Sequence, residues 1–158
     1  MNLKLRTCSL IFGLLLYSIF CSGQNTFIKP KVLAVIIGIA DYKDPEIPNL
    51  SYADKDAKAF YDFLKSPNSG SVPDDQIAFL SGTRATRENI LNEMTQLFKR
   101  ALAEDLLIFY FSGHAVGDSS DDPTAYFLTY DTSLDKKAST GISMEDINSH
   151  SAVGLRRW

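Results

Sequence analysis

The sequence predicts an α/β domain, a three-layer αβα sandwich with a mainly parallel sheet. Three observations carry this. Val32–Ile39 (VLAVIIGI) and Leu106–Phe111 (LLIFYF) are continuous apolar runs of strand length, the pattern of strands covered on both faces. Between them, from Ala53 and again from Ile90, apolar residues recur at helical spacing. Strand, helix, strand, helix, strand within about 80 residues is the order that crossover connections in a parallel sheet require. At 45% hydrophobic and 22% charged residues, the 158-residue chain has the composition of one folded domain rather than of a disordered one.

The N-terminus reads differently. Lys4 and Arg6 precede an apolar run, Leu10–Phe20, followed by Cys21-Ser22-Gly23. This is the pattern of a signal peptide over residues 1–23, cut between Gly23 and Gln24, and the expected location is the periplasm or the exterior. The run is short of the roughly 20 apolar residues that span a bilayer, so the mature chain should have no transmembrane segment. Cys21 would be the acceptor of a lipid anchor, but the bulky Phe20 before it argues against that. Cleavage removes both cysteines, Cys8 and Cys21, and leaves no disulfide, thiolate metal site or thiol nucleophile. It also removes Lys4 and Arg6 from a chain of net charge −3, so nothing electrostatic favours nucleic acid.

Gln24–Lys31 is a polar linker, and residues 32–158 form the domain. The first strand, Val32–Ile39, ends in Ala40-Asp41-Tyr42, after which Pro45 and Pro48 keep the loop from being helical. Ala53, Ala57, Phe60, Tyr61 and Leu64 mark the buried stripe of the first helix, which Pro67–Gly70 ends. Gln76–Leu80 is a short strand closed by Ser81-Gly82. Thr86 is the expected N-cap of the second helix, with Glu88 at its positive end and Ile90, Met94, Leu97, Phe98 and Ala101 on its buried side. Val116–Thr124 reads as a loop, Ala125–Thr129 as a strand, and Ser143 as the cap of a helix carrying Met144 and Ile147. Ser149–Trp158 has no sustained apolar stripe where a further buried strand is expected.

Ligands and catalytic groups collect beyond the carboxyl ends of parallel strands. There the sequence places Ser112-Gly113-His114 after the third strand, Asp41 and Tyr42 after the first, and Asp56 near the start of the first helix. An imidazole at a strand end suits general-base work, although a lone His is also a common polar residue where a chain surfaces. Val35–Tyr42 (VIIGIADY), Leu50–Ala57 (LSYADKDA) and Phe109–Ala115 (FYFSGHA) together resemble, in order and spacing, the N-terminal part of the caspase-like cysteine peptidases (peptidase C14), nearest the bacterial and metacaspase-type members. The resemblance runs from about Lys31 to Ile147.

What the resemblance implies is a caspase-like sandwich and a cysteine-type endopeptidase acting on peptides or proteins. His114 takes the place of the catalytic histidine. Ala115 stands where the family has glycine, whose backbone amide serves the oxyanion hole; alanine keeps the amide but allows fewer backbone angles. Asp56 matches an aspartate that selects a basic residue before the cut, by a charge-assisted hydrogen bond; read without the resemblance, it is a solvated helix residue beside Lys55. The nucleophile is missing. In caspases it lies about 50 residues after the histidine, and residues 115–158 contain no cysteine. Ser112, in the same turn as the histidine, is badly placed to replace it. The expectation is therefore a C-terminally incomplete catalytic domain, inactive by itself, whose unfinished sheet edge invites self-association.

No cofactor is expected. Asp118, Asp121 and Asp122 could meet calcium only in a loop without ligand spacing, and His114 with His150 lack a metal-binding pattern. No glycine-rich phosphate loop follows an early strand, which leaves a flavodoxin-like ligand binder as a weak reading. The stronger alternative is a non-catalytic caspase-like binding module.

Overall fold

The computed structural model describes residues 29–117 and 124–155. The segment read as a signal peptide, with Cys8, Cys21 and Gly23, most of the stretch read as a linker, and Asp118, Asp121 and Asp122 lie outside the described residues.

Three parallel strands form the main sheet: β1 (Val32–Gly38), β2 (Ile77–Ser81) and β3 (Leu106–Ser112), in the order β2-β1-β3. Gly38 sits opposite Ser81 on one side and Ser112 on the other, so the three carboxyl ends make one rim. Side chains alternate across the strands. Leu33, Val35 and Ile37 join one apolar cluster with Leu107, Phe109 and Phe111. Ala34 and Ile36 join the other, with Ile108 and Tyr110.

Helix α1 (Ala53–Lys65) covers the second cluster through Ala57, Leu64, Phe60 and Tyr61. On the opposite face lie α2 (Arg87–Phe98), through Ile90, Met94 and Phe98, and α4 (Met144–Leu155), through Ile147. These are the three layers read from the sequence. Gly38 brings α1 close: a Cβ there would fall 2.6 Å from the Ala57 Cβ and 2.8 Å from the Ala53 carbonyl oxygen. The Thr86 cap forms as expected, its Oγ1 accepting from the Asn89 N–H at 3.2 Å. Ser143 caps α4 in a reciprocal arrangement. Its Oγ accepts from the Asp146 N–H at 3.1 Å, while Asp146 Oδ2 accepts from the Ser143 N–H at 3.0 Å.

Two expectations are corrected. The apolar run leading to His114 reads as a strand from the middle of the sheet, yet among the described residues β1 holds that place and β3 pairs on one side only, with Leu107–Ser112 half-buried. A continuous apolar run reports cover by helices above and below, which both strands have, and is silent about lateral neighbours. The stretch after His114 is also not all loop. Ala115–Gly117 (β4) pairs antiparallel with β5 (Ala125–Phe127), and β5 with β6 (Ile142–Ser143), in a separate small sheet. The strand expected over Ala125–Thr129 thus ends early and outside the main sheet. Beyond Phe127 the chain turns to bury Thr129 and Thr132, whose hydroxyls bond each other at 2.9 Å. The short helix α3 (Lys137–Thr140) follows.

Candidate active site at the carboxyl rim of the sheet

His114 lies just past the end of β3, in the turn that leads into β4. The turn needs glycine at 113, because a Cβ there would come within 2.8 Å of the Phe111 ring and 3.0 Å of Tyr42 Oη. His114 itself is held at three points. Its N–H donates to Tyr42 Oη at 2.8 Å, its C=O accepts from the Leu128 N–H at 2.9 Å, and its ring Nε2 lies 2.9 Å from the Pro48 carbonyl oxygen. A carbonyl oxygen can only accept, so Nε2 carries the hydrogen, and in the neutral ring Nδ1 is the free base. The Tyr42 ring backs the imidazole, centroid to centroid 5.5 Å at 39°. Burial pushes the Tyr42 phenol above its ordinary range, against the lowering effect of the His114 N–H, and keeps it a neutral hydroxyl at physiological pH.

The loop that supplies Tyr42 and Pro48 is clamped from several sides. The Lys43 N–H donates to the Tyr130 carbonyl at 2.9 Å, and Leu50 N–H to Ala40 at 2.8 Å. Asp44 accepts from Leu134 N–H at 2.8 Å and Glu46 N–H at 3.0 Å, bonds that hold its carboxyl below the usual range. Asp131, beside the buried threonines, accepts from the Arg87 N–H at 2.9 Å at the start of α2. The imidazole is therefore mounted on a braced frame rather than on a free loop.

Ala115 is exposed and opens β4. The 114–128 pair makes a ladder bond, and register sets Ala115 opposite Phe127. Antiparallel ladders alternate, so 115–127 is a non-bonded pair and the Ala115 N–H points away from β5. Asp56 lies on α1, its N–H bonded to the Tyr52 carbonyl at 2.8 Å, with its residue exposed. The structure brings Tyr42, Pro48 and His114 into contact; it does not join Asp56 to them by a hydrogen bond or ion pair. Asp41 is exposed at the same rim, and Ser112 uses its carbonyl to accept from the Ile39 N–H at 3.0 Å.

His150 belongs elsewhere, on α4, its Nδ1 2.7 Å from the Asp146 carbonyl. Among the described residues no group of three or more His, Cys, Asp or Glu side chains is arranged to hold a metal, and no helix is long and apolar enough to cross a membrane. The Pro48 carbonyl was invisible in the sequence because every residue carries one. Tyr42 was visible only as a residue at a strand end.

Residues 31–148 match the family model of the caspase domain of peptidases C14. None of the curated proteins compared with the chain matches it. Among solved structures the chain is similar to the crystal structure of protein GSU0716 from Geobacter sulfurreducens, with a TM-score of 0.59 and 16% identity. That likeness covers 77% of this chain and 44% of that one, so the chain spans less than half the length of its neighbour, and at this identity the likeness speaks for the fold. With the match running through both apolar strands, the histidine turn and the start of α4, the chain belongs to the caspase-domain family of peptidases.

Proposed function

We propose that this chain carries the histidine half of a cysteine-type endopeptidase that cuts proteins after basic residues. The observation that carries the reading is the His114–Pro48 bond, which fixes the Nε2–H form and leaves Nδ1 as a base at the rim of the sheet. In the proposed reaction Nδ1 takes the proton of a cysteine thiol. The thiolate then attacks the scissile carbonyl, the imidazolium gives its proton to the leaving amine as the C–N bond breaks, and a water deprotonated by the same Nδ1 hydrolyses the resulting thioester, releasing the acid and restoring the cysteine thiol. The Ala115 N–H donates to the oxyanion, and Asp56 accepts from the Arg or Lys side chain before the cut. The nucleophile in this reading is a cysteine outside these 158 residues, since Cys8 and Cys21 both precede the domain. The chemistry uses protein groups alone, without calcium. Export by the N-terminal segment, and self-association along β3, belong to the same proposal.

The 158-residue chain incubated with Arg- or Lys-ended peptide substrates should release no product. The coding DNA around and beyond Ser149 gives the decisive test. A frame that adds an apolar strand ending in a cysteine should yield a hydrolase, and His114→Ala should lower its rate by roughly a thousandfold or more. In that longer chain Asp56→Asn should weaken the preference for basic residues. Hydrolysis indifferent to His114→Ala would refute the mechanism. The absence of cysteine from Gln24 onward favours a second reading, a non-catalytic module that binds such peptides; binding without cleavage, and no cysteine in any adjoining frame, would establish it.

A further inference from the structure

The peptidase reading assigns work to His114, Ala115 and Asp56 and leaves Tyr42 without a part. We propose that Tyr42 is the positioning residue of the histidine turn: its hydroxyl takes the place of a β-ladder acceptor and so swings the His114 ring onto Pro48. The purpose of this arrangement rests on the peptidase reading; its geometry does not.

In an antiparallel hairpin a hydrogen-bonded pair exchanges two bonds. His114 and Leu128 make one of them: the Leu128 N–H reaches the His114 carbonyl at 2.9 Å. The reciprocal bond is not made, because the His114 N–H turns to Tyr42 Oη, 2.8 Å away. The last rung of the β4–β5 ladder is thus half complete, and the chain leaves the ladder at the residue that carries the imidazole. Tyr42 can do this because it is 9% exposed, follows the central strand, and sits in the clamped loop that also supplies Pro48. Acceptor for the amide and acceptor for the ring therefore come from one rigid segment. Gly113 completes the device, since any Cβ there would press on both the Phe111 ring and the Tyr42 hydroxyl. Phenylalanine at 42 would keep the ring contact and strand the amide without an acceptor.

The chain contains two histidines, His114 and His150, so nitrogen-15 NMR of the imidazoles has a built-in reference. In Tyr42→Phe the His114 amide should exchange with solvent roughly tenfold faster or more. Its ring nitrogens should leave the fixed Nε2–H pattern for that of a mobile imidazole, while those of His150 stay in place. Ile90→Val, in the core beneath α2, should lower stability without either change. Wild-type exchange and wild-type ring shifts at His114 in Tyr42→Phe would overturn the proposal. If Tyr42→Phe does not fold, Gly113→Ala, whose methyl group displaces the hydroxyl, decides by the same two readings; failure of both variants to fold would assign Tyr42 to the core and overturn it as well. Neither measurement involves peptide hydrolysis, so the peptidase reading can fail while this one stands, and the reverse.

Discussion

Val32–Gly38 and Leu106–Ser112 are both seven-residue apolar strands, paired side by side in one parallel register. In β1 every residue after Val32 is buried; in β3 Leu106 is 55% exposed and the rest are half-buried. The difference is lateral. Among the described residues β1 has a strand on each side, whereas β3 has one, and its aromatic side chains take cover from Phe60 on one face and Phe127 on the other. The site depends on both kinds of strand. β1 supplies the rigid loop that holds Tyr42 and Pro48, and β3 supplies the imidazole to be held.

The largest expected effect tests burial directly. Ile36 in β1 and Ile108 in β3 point to the same apolar cluster. Ile36→Ala should cost about 2–5 kcal/mol in chemical denaturation, the range for emptying a closed core site. Ile108→Ala should cost less than half as much, and equal losses would erase the distinction between the strands. Next come the partners at the rim, Gly38 and Ser112. Gly38→Ala forces a methyl group against Ala57 and the α1 backbone and should cost about 1–3 kcal/mol. Ser112→Ala, on the open strand, should stay within about 0.5 kcal/mol. A harmless Gly38→Ala would mean that α1 sits farther from β1 than the contact distances require.

The smallest effect concerns the helix layer over the other face. Partial burial tends to raise the Asp146 carboxyl, but the Ser143 N–H and hydroxyl, with Arg87 at 3.0 Å, outweigh it and hold the group below its ordinary value. A carboxylate depressed in the folded state contributes stability above its unfolded pKa, about 3.9, and loses it as pH falls through the folded value. Unfolding followed across that acid range should therefore show a shallower decline for Asp146→Asn than for the wild type. Identical slopes would remove Asp146 from the account of how α4 is fastened to α2.

Much of the fold was legible because it follows from local pattern. The helix starting at Ala53, the Thr86 and Ser143 caps and the two apolar strands each rest on residues close together in the chain. The histidine was legible as the residue that follows the end of an apolar strand. The small antiparallel sheet was less so: its strands are two or three residues long, too short for an alternation to register. Asp56 shows the limit from the other side, since the motif that singled it out lies on α1, and among the described residues no hydrogen bond or ion pair joins it to Tyr42, Pro48 or His114.

By itself the sequence determined which faces of each strand and helix turn inward, and that an imidazole stands at the carboxyl end of the sheet, because apolar period and chain order are local properties. The tertiary structure alone decided that β1 rather than β3 is central, that Pro48 selects the proton-bearing nitrogen of His114, and that Tyr42 completes the turn. Those are pairings between groups far apart in the chain, two of them made by backbone atoms that every residue possesses, and only the folded chain says which of them meet.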